Sequence, residues 1–197
     1  KRGSDNYFAI HEVLRWHKKA RQKKGANINP IYVGVFDISK AYDRVSVLIL
    51  FSKLKKQGVG GKLLETMKSM YHNRRSHVMM HGKCSAKFPV RRGVAQGCGL
   101  SPMLFDIYVY DLLEKVRESG LGAKVGQAIL AALAFADDLV LCGDHKTMQE
   151  YIRLLDSWCT DNEFKINVKK CAIMPVGQKV SDAPTFRMKG EPIKSVE

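Results

Sequence analysis

The chain has 197 residues, of which 45% are hydrophobic, and it carries 33 Lys and Arg against 19 Asp and Glu, a formal net charge of +14. This length and apolar content allow a packed core and exclude disorder as the main state, while the longest nearly apolar run, Ala128 to Ala136, is about half the roughly 18 residues of a membrane span. The cationic surplus favours a polyanionic partner: nucleic acid, or an acidic membrane surface, for which no basic amphipathic anchor is evident.

Residues 5–24 read as an amphipathic helix with Phe8, Val13, Trp16 and Ala20 on its apolar side. Lys18, Lys19, Arg21, Lys23 and Lys24 crowd its end, either to complement the helix dipole or to contact phosphate, and Gly25 is the expected stop. Ile31 to Phe36 is a short run of β-formers ending at Asp37, the pattern of a buried strand with a polar residue at its mouth. Helices are expected over about 46–56 and 62–72, and a hairpin over 76–81 and 84–90 turning at Gly82-Lys83. A glycine-rich stretch, Gly93 to Gly99, leads to Ser101-Pro102, a helix start with Ser as N-cap and Pro at the first position. Met103, Ile107, Tyr110, Leu113 and Val116 are the expected core stripe of that helix. Apolar runs at 129–135 and 139–142 flank Ala136-Asp137-Asp138, two buried strands with acids at the turn. A helix over about 145–160 follows, capped by Asp144 and burying Met148, Ile152, Leu155 and Cys159. A strand over 171–176 and a last hairpin around Gly190 close the chain. Strands and helices mix without strict βαβ alternation, which predicts an α+β fold, a mostly antiparallel sheet with helices packed on one face.

Asp37 and the Asp137-Asp138 pair share one context, the end of an apolar strand. Carboxylates gathered there repel, and one protonates unless a cation neutralises them. Hard oxygen donors suit magnesium, and two such ions clamp an in-line phosphoryl displacement. The plainer alternative is that these are turn and cap aspartates held by local hydrogen bonds. The five cysteines, Cys84, Cys98, Cys142, Cys159 and Cys171, have no C-x-x-C spacing. They predict reduced thiols in an intracellular protein, not a disulfide framework or a zinc site.

The wording around the acids decides between these alternatives. Phe36 to Val45, reading FDISKAYDRV, resembles the first palm motif of reverse transcriptases, in the version typical of non-LTR (LINE-like) retrotransposons and their group II intron relatives. Gly93 to Phe105 resembles the second motif, Phe135 to Asp138 the third, and Phe164 to Cys171 the fourth, while Lys1 to Asn6 looks like the tail of a fingers motif. Five motifs in order span essentially the whole chain. The resemblance implies a polymerase palm with part of the fingers: 1–30 as the end of the fingers, 31–177 as the palm with 76–92 inserted, and 178–197 as the start of the hairpin toward the primer grip. It implies that Asp37, Asp137, Asp138 and the carbonyl of Ile38 hold two Mg²⁺ ions, for which Mn²⁺ can substitute. Backbone near Ser39, Lys40 and Ala41 would bind the triphosphate. Tyr42 would gate the sugar against a 2′-hydroxyl, Gln96 and Gly97 would touch nucleotide and template, and Lys170, with Lys169 as the neighbouring alternative, would give a proton to pyrophosphate. The implied partners are an RNA template, a DNA primer and dNTPs, with no membrane.

Three positions depart from the family pattern: Ala95 stands where Arg is usual, Gly99 where Pro is usual, and Glu163 where Gly is usual. Ala95 removes a basic contact, Gly99 loosens its loop, and Glu163 suggests a turn built differently. The chain opens on Lys1, not Met, so a segment of a longer polyprotein is expected. Its early fingers, thumb and any endonuclease would lie elsewhere, and the segment alone would polymerise poorly. A eukaryotic source would place it in the nucleus. The competing readings are a decayed or co-opted domain that binds nucleic acid without catalysis, and another palm polymerase such as an intron maturase.

Overall fold

The computed structural model describes residues 3–22, 29–125, 128–135 and 138–197. The chain forms two compact units, Lys1–Ser39 with Asp111–Glu197, and Lys40–Tyr110.

The first unit is built on a five-stranded sheet. Its strands are β1 (Ile31–Asp37), β8 (Ala132–Phe135), β9 (Asp138–Gly143), β10 (Ala172–Val176) and β13 (Lys194–Ser195), ordered β13-β10-β1-β9-β8. Every pairing is antiparallel except β10 with β13. The central strand, β1, is rich in β-branched and aromatic residues, as a strand covered on both faces requires. Helix α6 (His145–Asp161) lies over the face that carries Tyr32, Gly34 and Phe36. A Cβ on Gly34 would stand 2.7 Å from the Phe36 ring and 3.1 Å from the Met148 sulfur. Met148, Tyr151, Ile152, Leu155, Trp158 and Cys159 are buried beneath α6, and the Asp144 side chain accepts from Thr147 N at 2.8 Å as its N-cap. These features match the sequence expectations.

Helix α1 (Gly3–Gln22) covers part of the opposite face. Its Val13 joins Ile31, Val33 and Cys142 in one buried cluster, flanked by Leu14, Val140, Met174 and Val176. The expected apolar side of α1 is borne out only in part: Val13 is buried as expected, but Phe8 is 65% exposed and Trp16 36%, and His17 is buried in their place. Histidine counts as polar in an apolar periodicity, which hides the burial of position 17. Gly25, Lys23 and Lys24 lie outside the described residues. Hairpins β6 (Ala123–Val125) with β7 (Ala128–Leu130), and β11 (Arg187–Met188) with β12 (Glu191–Pro192), complete the unit.

The end of α6 shows what Glu163 does. The Phe164 N–H donates to Cys159 O at 2.8 Å and the Glu163 N–H to Thr160 O at 3.3 Å. Phe164 stacks on Trp158 at 5.6 Å. This is a Schellman closure with its hydrophobic contact, and Glu163 holds its left-handed position at φ 58°. The turn is therefore not rebuilt around Glu163, as the sequence suggested. It keeps the backbone that glycine adopts at no cost.

The second unit contains α2 (Ala41–Arg44), α3 (Val47–Lys56), α4 (Gly61–His72) and the first ten residues of α5 (Ser101–Glu118). Leu50, Leu54, Leu64, Met67 and Tyr71 are buried on α3 and α4. On α5 the buried residues are Leu104, Phe105, Tyr108, Val109, Leu112 and Val116, whereas Met103 is 51% and Tyr110 41% exposed. Val116 is buried as expected, but the rest of the stripe runs through Leu104, Tyr108 and Leu112 instead of the expected positions, because α5 is apolar on several sides and two helical series compete. Between α4 and the glycine-rich loop stands a β arm, in which β2 (Arg75–Ser76) pairs with β5 (Phe88–Pro89), and β3 (Met79–Met80) with β4 (Lys83–Cys84). Its turn is His81-Gly82, at φ 50° and 75°, one residue earlier than expected. Positive φ at both central residues is what the type I′ form of a two-residue hairpin turn needs.

Candidate active site

In the first unit, Asp37 closes β1 and Asp138 opens β9, and the two stand directly opposite each other in the antiparallel register. Such cross-strand partners point to the same face of a sheet, with Cβ atoms about 4.5–5.5 Å apart. That face also carries Val35, which is 39% exposed although it lies on the central strand. Asp37 is partly buried and Asp138 exposed. Asp137 and Ala136 lie outside the described residues. Among the described residues no group of three His, Cys, Asp or Glu is gathered closely enough to hold a metal ion.

The residues of the fourth motif are tied to this strand end. Ser39 N donates to Lys165 O and Asn167 N to Asp37 O, each at 2.9 Å, with Ile38 bridged to Ile166 between them. Since the Asp37 carbonyl faces Asn167, the pleat turns the backbone polar groups of Ile38 the other way, toward β9. The ties bring Lys170 beside the acid, its Nζ 3.8 Å from Asp37 Oδ1, with the lysine 68% exposed. Lys169 is also exposed. It lines a separate cavity of about 510 Å³ with Ser39, Lys165 and Lys189. The Ser39 amide, one of the expected triphosphate contacts, is the one donated to Lys165.

The second unit carries the other expected contacts. Lys40 has a left-handed backbone, φ 51° and ψ 49°, at the start of α2. Ala41 is buried, and Tyr42 is half-buried with its ring 5.1 Å from that of Phe105. Gln96 Nε2 donates to Asp43 Oδ1 at 3.1 Å, and Gly97, at φ 80°, has open space around it. The glycine-rich loop is stitched to the first motif: Val94 N donates to Tyr42 O at 2.9 Å and Gly93 N to Val45 O at 2.8 Å. A Cβ on Gly93, at φ 84°, would stand 2.9 Å from Tyr42 O. Sequence reading missed two positioning residues here. One is Gly93, whose signal was a glycine opening the loop. The other is Arg74, whose guanidinium donates to the carbonyls of Arg92 and Gly93 at 2.5 and 2.8 Å, and which carried no signal beyond its charge.

The family model for reverse transcriptase (RNA-dependent DNA polymerase) matches residues 4–188. The chain belongs to the reverse transcriptase family. This reverse transcriptase domain is 32% identical over 169 residues to the Pol polyprotein of type-2 retrotransposable element R2DM of Drosophila melanogaster, covering 85% of the chain and 15% of that relative. It is 28% identical over 189 residues to the type-1 element R2 polyprotein of Popillia japonica, covering 92% and 31%. With the RNA-directed DNA polymerase of mobile element jockey from Drosophila funebris it shares 29% over 191 residues, covering 92% and 20%. The chain thus spans less than a third of the length of these relatives, and the non-LTR retrotransposon resemblance holds. In fold, it is similar to telomerase from Candida tropicalis, with a TM-score of 0.64 at 16% identity over 90% of the chain and 31% of the telomerase. Telomerase from Candida albicans gives 0.62 at 14%, over 98% and 33%.

Proposed function

We propose that this domain is the catalytic centre of an RNA-directed DNA polymerase, and that its parent polyprotein adds deoxynucleotides to a primer 3′-OH on an RNA template. The observation that carries the reading is the Asp37–Asp138 register pair with Lys170 beside it. Both acids offer hard oxygen donors from one face of the sheet, a donor set that suits Mg²⁺, and Asp37, Asp137, Asp138 and the Ile38 carbonyl are the residues assigned to hold two such ions. Bound there, the ions would supply charge neutralisation and Lewis acidity at the phosphate oxygens.

The chain's own groups supply position and protons. In the reaction, the primer oxygen forms a bond to the α-phosphorus as the bond to the β-phosphate bridging oxygen breaks. Lys170, exposed beside Asp37, gives its proton to the departing pyrophosphate. Lys40 and Ala41 present backbone amides to the triphosphate, and Tyr42, braced by Phe105, blocks a ribose 2′-hydroxyl. Gln96, oriented by Asp43, and Gly97, with open space around it, meet the nucleotide and template. In a eukaryotic host the polymerase acts in the nucleus.

Primer extension on RNA by the full-length parent tests this reading. Asp37→Asn and Asp137→Asn are expected to abolish extension with nucleic-acid binding retained. Lys170→Met is expected to slow the chemical step by about 10²-fold, the scale of a lost general acid. A complete parent that binds RNA but extends no primer would establish the co-opted, non-catalytic reading instead.

A further inference from the structure

The charge of this domain is unevenly placed. Residues 40–110 hold 13 Lys and Arg against three Asp and Glu, a balance of +10 in a chain whose total is +14. The densest part is the β arm and its root, residues 74–92, with six Lys and Arg and no acid. Arg74 is committed to holding that root together through the carbonyls of Arg92 and Gly93, with its guanidinium 5.1 Å over the Tyr71 ring. Arg75, Lys83, Lys87 and Arg91 are exposed, and none of the four makes an ion pair among the described residues. At the root, Arg74, Arg75 and Arg92 outnumber the single acid Asp43 in lining a cavity of about 390 Å³ together with Ala95, the position where the family pattern has an arginine.

The arm is also greasy where it should be wet. Val78 is 59% exposed, Met79 72%, Met80 68% and Phe88 45%. A two-stranded ribbon that shows four large apolar side chains among cations has the composition of a surface for unpaired nucleic acid, with cations along the phosphates and flat or flexible apolar groups against base faces. A paired helix hides its base faces and leaves such side chains without a partner.

We infer that the 74–92 arm is a binding surface for a single-stranded nucleic acid segment, with phosphates on Arg75, Lys83, Lys87 and Arg91 and bases on Met79, Met80 and Phe88. The arginine cavity at the root supplies the cationic contact that Ala95 lacks. The inference rests on the polymerase reading only for the identity of the polyanion as nucleic acid.

Fluorescence anisotropy of a labelled, unstructured 16-nucleotide RNA with the whole chain, from 50 to 300 mM salt, tests it. The combined Arg75→Gln, Lys83→Gln, Lys87→Gln, Arg91→Gln variant is expected to bind at least tenfold more weakly at 50 mM. Its log–log salt slope should be shallower by up to about 3, near 0.7 for each phosphate no longer neutralised. Met79→Ser with Met80→Ser and Phe88→Ser should weaken single-strand binding severalfold at unchanged slope and leave duplex binding alone. All seven positions are exposed, so thermal melts should stay within a few degrees.

Lys124→Gln, Lys146→Gln, Lys179→Gln and Lys194→Gln together, an equal charge loss in the first unit, should change binding less than threefold. A control that weakens as much as the arm variant, or serine variants that weaken duplex and single strand equally, would overturn the inference, as would an unaltered chain that binds no RNA. Extension by the parent with arm variants that bind normally sinks the arm alone. A parent that fails to extend while arm variants lose RNA sinks the polymerase reading alone.

Discussion

Glu163 shows how one backbone angle can be read through an unexpected side chain. Its φ of 58° costs an L-residue roughly 1–2 kcal/mol, of which glycine returns part as unfolded-state entropy. Glu163→Gly is therefore expected to stabilise the chain by about 0.5–1 kcal/mol, raising the thermal midpoint by some 2–4 °C for about 1 kcal/mol at this size. A lower midpoint in calorimetry would show that the glutamate side chain holds the turn together. The sequence revealed that a residue was out of pattern here. It did not reveal that the turn would keep its shape, because the constraint comes from Phe164 docking on Trp158, a contact of side chains that no local spacing encodes.

At the scale of elements, the strands β1, β9 and β10 and helix α6 were legible because burial on one or both faces writes a strong period into the chain. The buried stripes of α1 and α5 were legible only at Val13 and Val116, since both helices carry large apolar side chains outside the buried stripe, Phe8 and Trp16 in one and Met103 and Tyr110 in the other. The pairing of the glycine-rich loop with the first motif was hidden as well, because it depends on backbone approach. That approach makes a sharp prediction. Gly93→Ala puts a methyl group 2.9 Å from a backbone oxygen in a left-handed position, so a loss of about 2–3 kcal/mol is expected. The Tyr42 segment should shift with it. Denaturant melts measure the first, and discrimination between dNTP and rNTP by the parent measures the second; wild-type values in both would refute the stitch. Gly99→Ala serves as the comparison, since a Cβ there meets nothing within 4 Å.

Across the whole molecule, the sequence conveyed the α+β class and the order of the motifs, but not the division into two compact units, which cuts α5 between Tyr110 and Asp111 without any linker composition. All five cysteines are free, and three of them, Cys142, Cys159 and Cys171, are buried. Global stability has a pH dependence to match the buried His17. Burial, then the nearby Arg21 cation, hold its pKa below the ordinary 6.5, against a hydrogen bond with the Asn29 backbone that raises it. Between 6.5 and its lowered folded value the unfolded chain binds the proton and the folded chain does not, so stability is greatest above that window and falls as pH drops through it. The unfolding midpoint should decline below about pH 6.5, and less steeply in His17→Gln; identical slopes would mean that other groups carry the acid sensitivity.

The pairing of Asp37 with Asp138 across β1 and β9 has a consequence in arithmetic. Side chains alternate along a strand, so the acid faces its partner only at the right count modulo two. One codon gained inside Ile31–Asp37 leaves a strand able to pair and a core able to form, yet turns either the acid or the hydrophobic set to the wrong side. Two codons gained restore the parity. A gene for this domain can therefore lose the facing carboxylates of the proposed metal site through a three-nucleotide insertion that keeps every aspartate and the reading frame intact.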